Sequence, residues 1–235
     1  SLHTMRMDRV NDVFSWADLK PVVLQLCSAL DHAHTEQLIH RDLKPANIMI
    51  DTKGRVKLAD LGISATLNDG YTELLGLRDN RGTMTFMSPQ QMEGEPPQVS
   101  DDIYALGATL YELLCGKPPF HAGDISHQIQ AVPPQPIEAR LREKNIECDV
   151  PANIAQMIMN CLDKDPAVRP GSIRAIAQTI DALAELAGEL LIGGGQREVG
   201  AGMNHIGDGL GLGEVDAAAI SEGRVRSTGE RVDGM

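Results

Sequence analysis

Apolar residues recur along the chain with changing periods, and the changes mark its elements. From Trp16 to Gln37 they fall at Leu19, Val22, Val23, Leu26, Leu30 and Ala33, a spacing that lines them up on one stripe of a helix. One long amphipathic helix is predicted there, with Pro21 accommodated in its first turn. Short apolar runs follow at Leu38 and Ile39, at Ile48 to Ile50 and at Val56 to Leu58, interrupted by Pro45 and by the turn Asp51-Thr52-Lys53-Gly54. The last two runs predict short strands flanking that turn. Helical spacing returns at Ile103, Leu106, Leu110, Leu113 and Leu114 and stops at Gly116, with Pro118 beyond, the residues that end helices. This stretch is apolar nearly all round, which predicts a central, buried helix. Two further helices are predicted around Ile154, Met157, Ile158, Cys161 and Leu162, and around Ile173, Ile176, Ala177, Ile180 and Leu183.

Beyond Ile192 the pattern dissolves: 12 of the 23 glycines lie in the last 43 residues. Such a segment buries too little to offset its ordering entropy. The chain therefore divides into a folded domain at 1–190 and a Gly-rich, flexible tail at 191–235. No internal repeat is evident.

Composition narrows the class. With 21 Lys+Arg against 33 Asp+Glu the net charge is −12, which argues against a surface that neutralises nucleic-acid phosphates. Aromatic side chains are few, Trp 1, Tyr 3 and Phe 3, against Met 10, so aliphatic residues and methionine must fill the core. A mainly α domain with one short hairpin is expected, not a β-sandwich. Cys27, Cys115, Cys148 and Cys161 stand far apart with no CxxC pair, and read as reduced thilos of a cytoplasmic protein and not as a zinc site. No run of about 18 apolar residues could span a membrane, and no signal peptide pattern opens the chain. The first residue, Ser1, suggests that an upstream part of the protein is not included.

The chemistry-bearing residues cluster. His40-Arg41-Asp42-Leu43-Lys44-Pro45-Ala46-Asn47 is followed, 18 residues after Asp42, by Asp60-Leu61-Gly62. Two carboxylates and an amide in so short a span suit phosphoryl transfer: one carboxylate can take the proton of an attacking hydroxyl, while hard oxygen ligands hold Mg²⁺ against phosphates. Three other groupings carry less. His32, His34 and His40 have no carboxylate on the same helical face to complete a metal site. Asp51 to Gly54 lacks the alternating ligands and closing Glu of a calcium loop. The series Gly207, Gly209, Gly211 and Gly213 follows no strand and opens no helix, so it is not read as a nucleotide loop.

These motifs resemble the catalytic loop and metal-binding triplet of eukaryotic-type serine/threonine protein kinases. The resemblance implies Asp42 as catalytic base, Asn47 and Asp60 as metal ligands and Lys44 as the contact to the transferred phosphate, with ATP and Mg²⁺ as cofactors and a protein Ser or Thr as acceptor. Lys44, two residues after the base, marks the serine/threonine branch. Gly82-Thr83-Met84-Thr85-Phe86-Met87-Ser88-Pro89-Gln90 resembles the end of an activation segment, with Thr83 bonded to the catalytic Asp and Lys. Asp102-Ile103-Tyr104-Ala105-Leu106-Gly107 resembles the start of the central helix, whose Asp braces the catalytic loop, and Asp163 to Pro170 resembles the late motif that carries Arg169. Arg41 beside Asp42 implies control by phosphorylation in signalling, with Thr72 the first candidate acceptor and Tyr71 the second.

The departures are also informative. The family's Gly-rich loop, strand Lys and helix Glu should precede the catalytic loop, yet the 39 residues before His40 contain none of them. The chain therefore resembles a kinase C-lobe whose N-lobe, on the same polypeptide or a complementing chain, would be its partner. Its absence should expose apolar surface around Ile48, Met49, Leu58 and Leu61. The family's Glu partner of Arg169 is replaced by Gln90, so Glu93 or Glu95 must substitute or the segment should loosen. Leu61 stands where Phe is usual. Two other readings compete: a catalytically inactive C-lobe acting as a binding or scaffold module, and a small-molecule phosphotransferase on the same fold.

Overall fold

The longest run of consecutive buried positions is the axis of the structure. The computed structural model describes residues 1–60 and 84–182. Within them the order is α1 (Leu2–Met7), a 3-10 turn (Val10–Asp12), α2 (Trp16–Thr35), a second 3-10 turn (Pro45–Asn47), β1 (Ile48–Ile50), β2 (Val56–Leu58), α3 (Pro89–Met92), α4 (Val99–Cys115), α5 (Ile125–Ala131), α6 (Ile137–Glu143) and α7 (Ala152–Cys161). A last helix, α8, occupies 173–182. The fold is mainly helical with one two-stranded antiparallel hairpin, as the periodicities predict. The expected 191–235 tail lies outside the described residues.

Helix α4 is buried at every residue from Asp101 to Cys115. It begins where the Asp101 carboxylate accepts the Gln98 N–H at 2.8 Å. It stops at Gly116, whose φ of 77° is left-handed and whose N–H closes on the Glu112 carbonyl. A side chain there would be strained by that φ and would also press within 3.2 Å of the Asp12 carbonyl. Helix α7 lies directly against α4 at Gly107, where an added Cβ would stand only 2.7 Å from the Cys161 Cβ. The missing side chain allows the two backbones to approach this closely.

Helix α2 starts at Ser15, whose hydroxyl accepts the Asp18 N–H at 3.1 Å. Its buried face is Trp16, Leu19, Val23, Leu26, Cys27, Leu30 and Ala33, nearly the predicted stripe; Val22 is half-buried. The helix ends two residues before the expected Gln37. Pro21 lies in the second turn and not the first. It is tolerated because it faces solvent beside the exposed Ala17, the residue whose carbonyl loses its helical donor.

The hairpin pairs Ile48 with Leu58, Met49 with Lys57 and Ile50 with Val56. Its turn is tied by Asp51, whose Oδ1 accepts the N–H groups of Lys53 and Arg55 at 2.9 and 3.0 Å, with Gly54 in the left-handed region. Those backbone donors and the Arg55 guanidinium hold the Asp51 carboxyl below its ordinary pKa. Gln25 of α2 clamps the free edge, donating to the Gly54 carbonyl and accepting from Val56 N–H. One expectation is corrected here. Ile48 is fully buried because α1 packs over β1, while Met49 on the opposite face is 43% exposed.

The Gln90 substitution does not loosen its surroundings. Arg169 is only 4% exposed and donates to the Gln90 Oε1 at 2.7 Å and to the carbonyls of Asp163, Ser100 and Lys164. The Gln90 amide donates back to the Lys164 carbonyl at 3.0 Å, and the guanidinium lies 5.1 Å from the Tyr104 ring centre. Neutral acceptors thus satisfy the cation, and Glu93 and Glu95 remain exposed. Neighbouring Lys164 fares less well. It donates to the Gln128 carbonyl and sits over Phe120, and burial, reinforced by repulsion from Arg169, pushes its pKa down to about 8.

Two predictions follow from this packing. Gly107→Ala is expected to lower stability by about 1–3 kcal/mol through overpacking against α7, whereas Gly171→Ala, with open space around it, should be neutral; thermal melts of the two variants compare them. For Lys164, the folded state holds its proton less tightly than the unfolded chain. The penalty is therefore fully present below pH 8 and is relieved as pH rises from 8 towards 10.5. Lys164→Met should be more stable than the parent at pH 7, with the difference narrowing across that window in denaturant titrations.

Candidate active site

The loop from His40 to Asn47 is held from below by one carboxylate. Asp102, in the first turn of α4 and fully buried, accepts the His40 N–H on Oδ2 at 2.8 Å and the Arg41 N–H on Oδ1 at 2.9 Å. Its Oδ2 also lies 2.7 Å from His34 Nε2, at the end of α2. Gln91 of α3 adds a bond from its amide to the Arg41 carbonyl at 2.8 Å. So fixed, Arg41 takes a φ of 67°, which a side chain other than Gly rarely adopts and which persists only where neighbours impose it.

This twist presents Asp42. Its N–H donates to the His40 carbonyl at 2.9 Å, and Leu43 behind it is fully buried, pinning the loop to the core. Lys44 Nζ donates to both Asp42 carboxylate oxygens, at 2.9 and 2.7 Å. Asn47 donates from Nδ2 to the Asp42 carbonyl at 2.8 Å and to its Oδ2 at 2.9 Å. Pro45 opens the 3-10 turn that carries Asn47 into β1. The hairpin then returns the chain: the Ala59 N–H donates to the Asn47 carbonyl at 2.8 Å. Asp60 follows at once, exposed and with a φ of 53°.

Asp42, Lys44 and Asn47 thus form one hydrogen-bonded group, with Asp60 delivered beside it. Among the described residues the Asp60 carboxylate receives no hydrogen bond, and the Asn47 Oδ1 remains open while its amide nitrogen is used. Two hard oxygen donors that no described residue engages fit a Mg²⁺ ion. Cation chemistry elsewhere finds less support. His32 is exposed, His34 faces Asp102 and His40 is buried, and among the described residues no cluster of His, Cys, Asp and Glu is placed to hold a metal. Thr83, Thr72, Tyr71 and Leu61 lie outside the described residues. Gln90 and Arg169 form their own bonded pair, not a part of this group.

A cavity of about 530 Å³ opens beside Lys44 and Ala46, continuing past Thr85 and Phe86 to the loop before α5. Apolar periodicity gives no sign that Gln91 or His34 supports the site. Each acts on a partner 50 or 68 residues away, and the only local signal is a polar residue beside a buried element.

The chain is similar to known proteins over most of its length. A model of the protein kinase domain matches residues 2–180. A probable serine/threonine-protein kinase of Corynebacterium efficiens is 31% identical over 180 residues, covering 76% of this chain and 27% of that protein. Serine/threonine-protein kinase PknB of Mycobacterium tuberculosis is 36% identical over 150 residues, covering 63% of this chain and 23% of its own length. The chain therefore spans about a quarter of the curated relatives it matches. A crystal structure of the Mycobacterium tuberculosis PknI kinase domain, a double mutant, superposes with a TM-score of 0.55 at 24% identity, covering 78% of this chain and 61% of that one, which shows the shared fold.

Asp102→Asn would turn an amide donor towards a backbone N–H or towards His34. The expected cost is about 2–3 kcal/mol, measured by denaturant titration, with faster hydrogen exchange at the His40 and Arg41 amides; unchanged exchange there would contradict the bracing role.

Proposed function

This chain belongs to the protein kinase family, and from that membership we propose that it is the catalytic C-lobe of a serine/threonine protein kinase that transfers the γ-phosphate of Mg²⁺-ATP to a protein hydroxyl. The observation that carries the reading is the bonded group of Asp42, Lys44 and Asn47, with Asp60 brought alongside by the Ala59 to Asn47 bond. Mg²⁺ held by Asn47 and Asp60 would neutralise charge on the nucleotide phosphates.

The chain's own residues perform the remaining tasks. Asp42 orients the acceptor hydroxyl and takes its proton on the carboxylate. Lys44, already 2.7 Å from that carboxylate, keeps Asp42 in position and offers its ammonium to the transferred phosphoryl oxygens. By the family resemblance, Thr83 would help to select a hydroxyl substrate alongside Asp42 and Lys44. Arg41 is read as the receptor for a phosphate placed on Thr72, the regulatory input. The nucleotide is covered by an N-lobe that supplies the Gly-rich loop and strand Lys, from the same polypeptide or a complementing chain. The four free thiols, three of them buried, fit a reducing, cytoplasmic setting, and among the described residues no helix is long and apolar enough to cross a membrane.

The test uses the protein carrying this chain together with its N-lobe. Asp42→Asn is expected to reduce turnover roughly 10²–10⁴-fold with little change in nucleotide affinity. Asp60→Asn should remove the Mg²⁺ dependence of nucleotide binding, read by calorimetry, along with turnover. Full turnover in either variant would refute the assignment, and a parent protein that binds peptide but never transfers phosphate would favour a binding module.

A further inference from the structure

Two cations of the 163–170 loop share one aromatic ring. The Arg169 guanidinium lies 5.1 Å from the centre of Tyr104 and the Lys164 ammonium 5.9 Å from it. The chain carries a net charge of −12, yet among the described residues no carboxylate forms an ion pair with either cation. The adjacent acids are turned to the backbone: Asp163 accepts the Asp165 N–H and Asp165 the Ala167 N–H, each at 2.9 Å. Gln90 offers Arg169 only an amide oxygen, at 2.7 Å. Arg169 is nonetheless satisfied, by that oxygen and three carbonyls. Lys164 is not. Among the described residues its Nζ donates only to the Gln128 carbonyl, at 3.2 Å, and otherwise lies over Phe120, 4.4 Å from the ring centre. A ring face attracts a cation but supplies no countercharge.

Of the two, only the amine can shed its charge, because a guanidinium stays protonated. Burial, reinforced by Arg169 and opposed by Asp163, brings the Lys164 pKa down to about 8, so a substantial fraction of this side chain is neutral near pH 7.5. Lys164 is also partly exposed, which leaves it open to a small reagent. A lysine desolvated against apolar groups and beside a second cation is thereby made nucleophilic. The surroundings suit an acylated product as well. An amide at Nζ keeps one N–H for the Gln128 carbonyl, lies over Phe120 as a neutral group, and no longer carries the charge that burial penalises.

We propose that Lys164 is an acylation site that takes its acyl group from a small acyl phosphate. The neutral Nζ attacks the acyl carbon and forms the N–C bond. The C–O bond to phosphate breaks, the phosphate leaves with that electron pair, and a proton passes from the nitrogen to the departing phosphate. Two neighbouring cations without a carboxylate favour this anionic donor over a neutral one. Acylation leaves Arg169 as the one charge on Tyr104. It therefore relieves repulsion where the loop meets α3 through Gln90 and α5 through Gln128. The proposal does not depend on the kinase reading.

The experiment incubates the full chain with acetyl phosphate at about pH 7.5, to low conversion, and follows each lysine by peptide mass spectrometry. Lys164 is expected to gain its acetyl group roughly five- to tenfold faster than the exposed Lys53, Lys57 and Lys117. A rate no higher than theirs would overturn the proposal. On the same chain the Lys164 rate should level off above pH 8; a rate still climbing about tenfold per pH unit near pH 9.5 would contradict a neutralised amine. Gln90→Glu places a carboxylate against Arg169 with almost no change in size. It is expected to slow Lys164 about threefold or more while the other lysines react as before. An unchanged Lys164 rate in a variant that keeps the parent's circular dichroism would remove the role of the paired cations. Equal selectivity with N-acetylimidazole, a neutral donor, would overturn the assignment of an acyl phosphate.

Discussion

A carboxylate with no exposed surface is expensive unless its lone pairs are filled, and the way Asp102 fills them organises the site. Two consecutive backbone N–H groups, of His40 and Arg41, and the imidazole of His34 converge on it. Because α4 is buried along almost its whole length, Asp102 cannot move, and neither can the loop hung from it. The left-handed Arg41 follows from that constraint, and with it the direction in which Asp42 leaves the loop. From there the geometry propagates by short steps: Leu43 into the core, Asn47 back onto Asp42, and Ala59 onto Asn47, which brings Asp60 to the same place.

The other buried ions around α4 show different solutions to the same cost. Arg6 and Glu112 neutralise each other at 3.0 Å. Arg169 is satisfied without a salt bridge, by three carbonyls, the Gln90 amide oxygen and the face of Tyr104, so an amide serves where a carboxylate was expected. Lys164, with one carbonyl and a ring, is under-compensated, and its depressed pKa records the deficit. Among the described residues Glu112 is the one carboxylate lining the cavity beside Lys44, and Arg6 keeps it engaged there.

Much of this was legible in the sequence, and the particular elements say why. Helices α2, α4, α7 and α8 span enough turns for their period to show, and Gly116 marks an end through backbone geometry that is local. Helices α5 and α6 were not assigned from the pattern, because α5 buries only Ile129 and α6 only Ile137 and Leu141, too few anchors to define a period. Asp42, Lys44, Asn47 and Asp60 were visible because they lie in one short stretch joined by a hairpin whose turn chemistry is written in Asp51 and Gly54.

By itself the sequence determined the helical class, the hairpin and the central buried helix, since each depends on spacing within a few turns of chain, while its resemblance to the family is what singles out the residues that carry the proposed chemistry. Only the tertiary structure decided which charges meet. His34 with Asp102, Gln91 with Arg41 and Arg6 with Glu112 are pairings between distant elements. No local periodicity encodes them, because a buried charge is satisfied by whichever donor or acceptor the packing of the helices brings within about 3 Å.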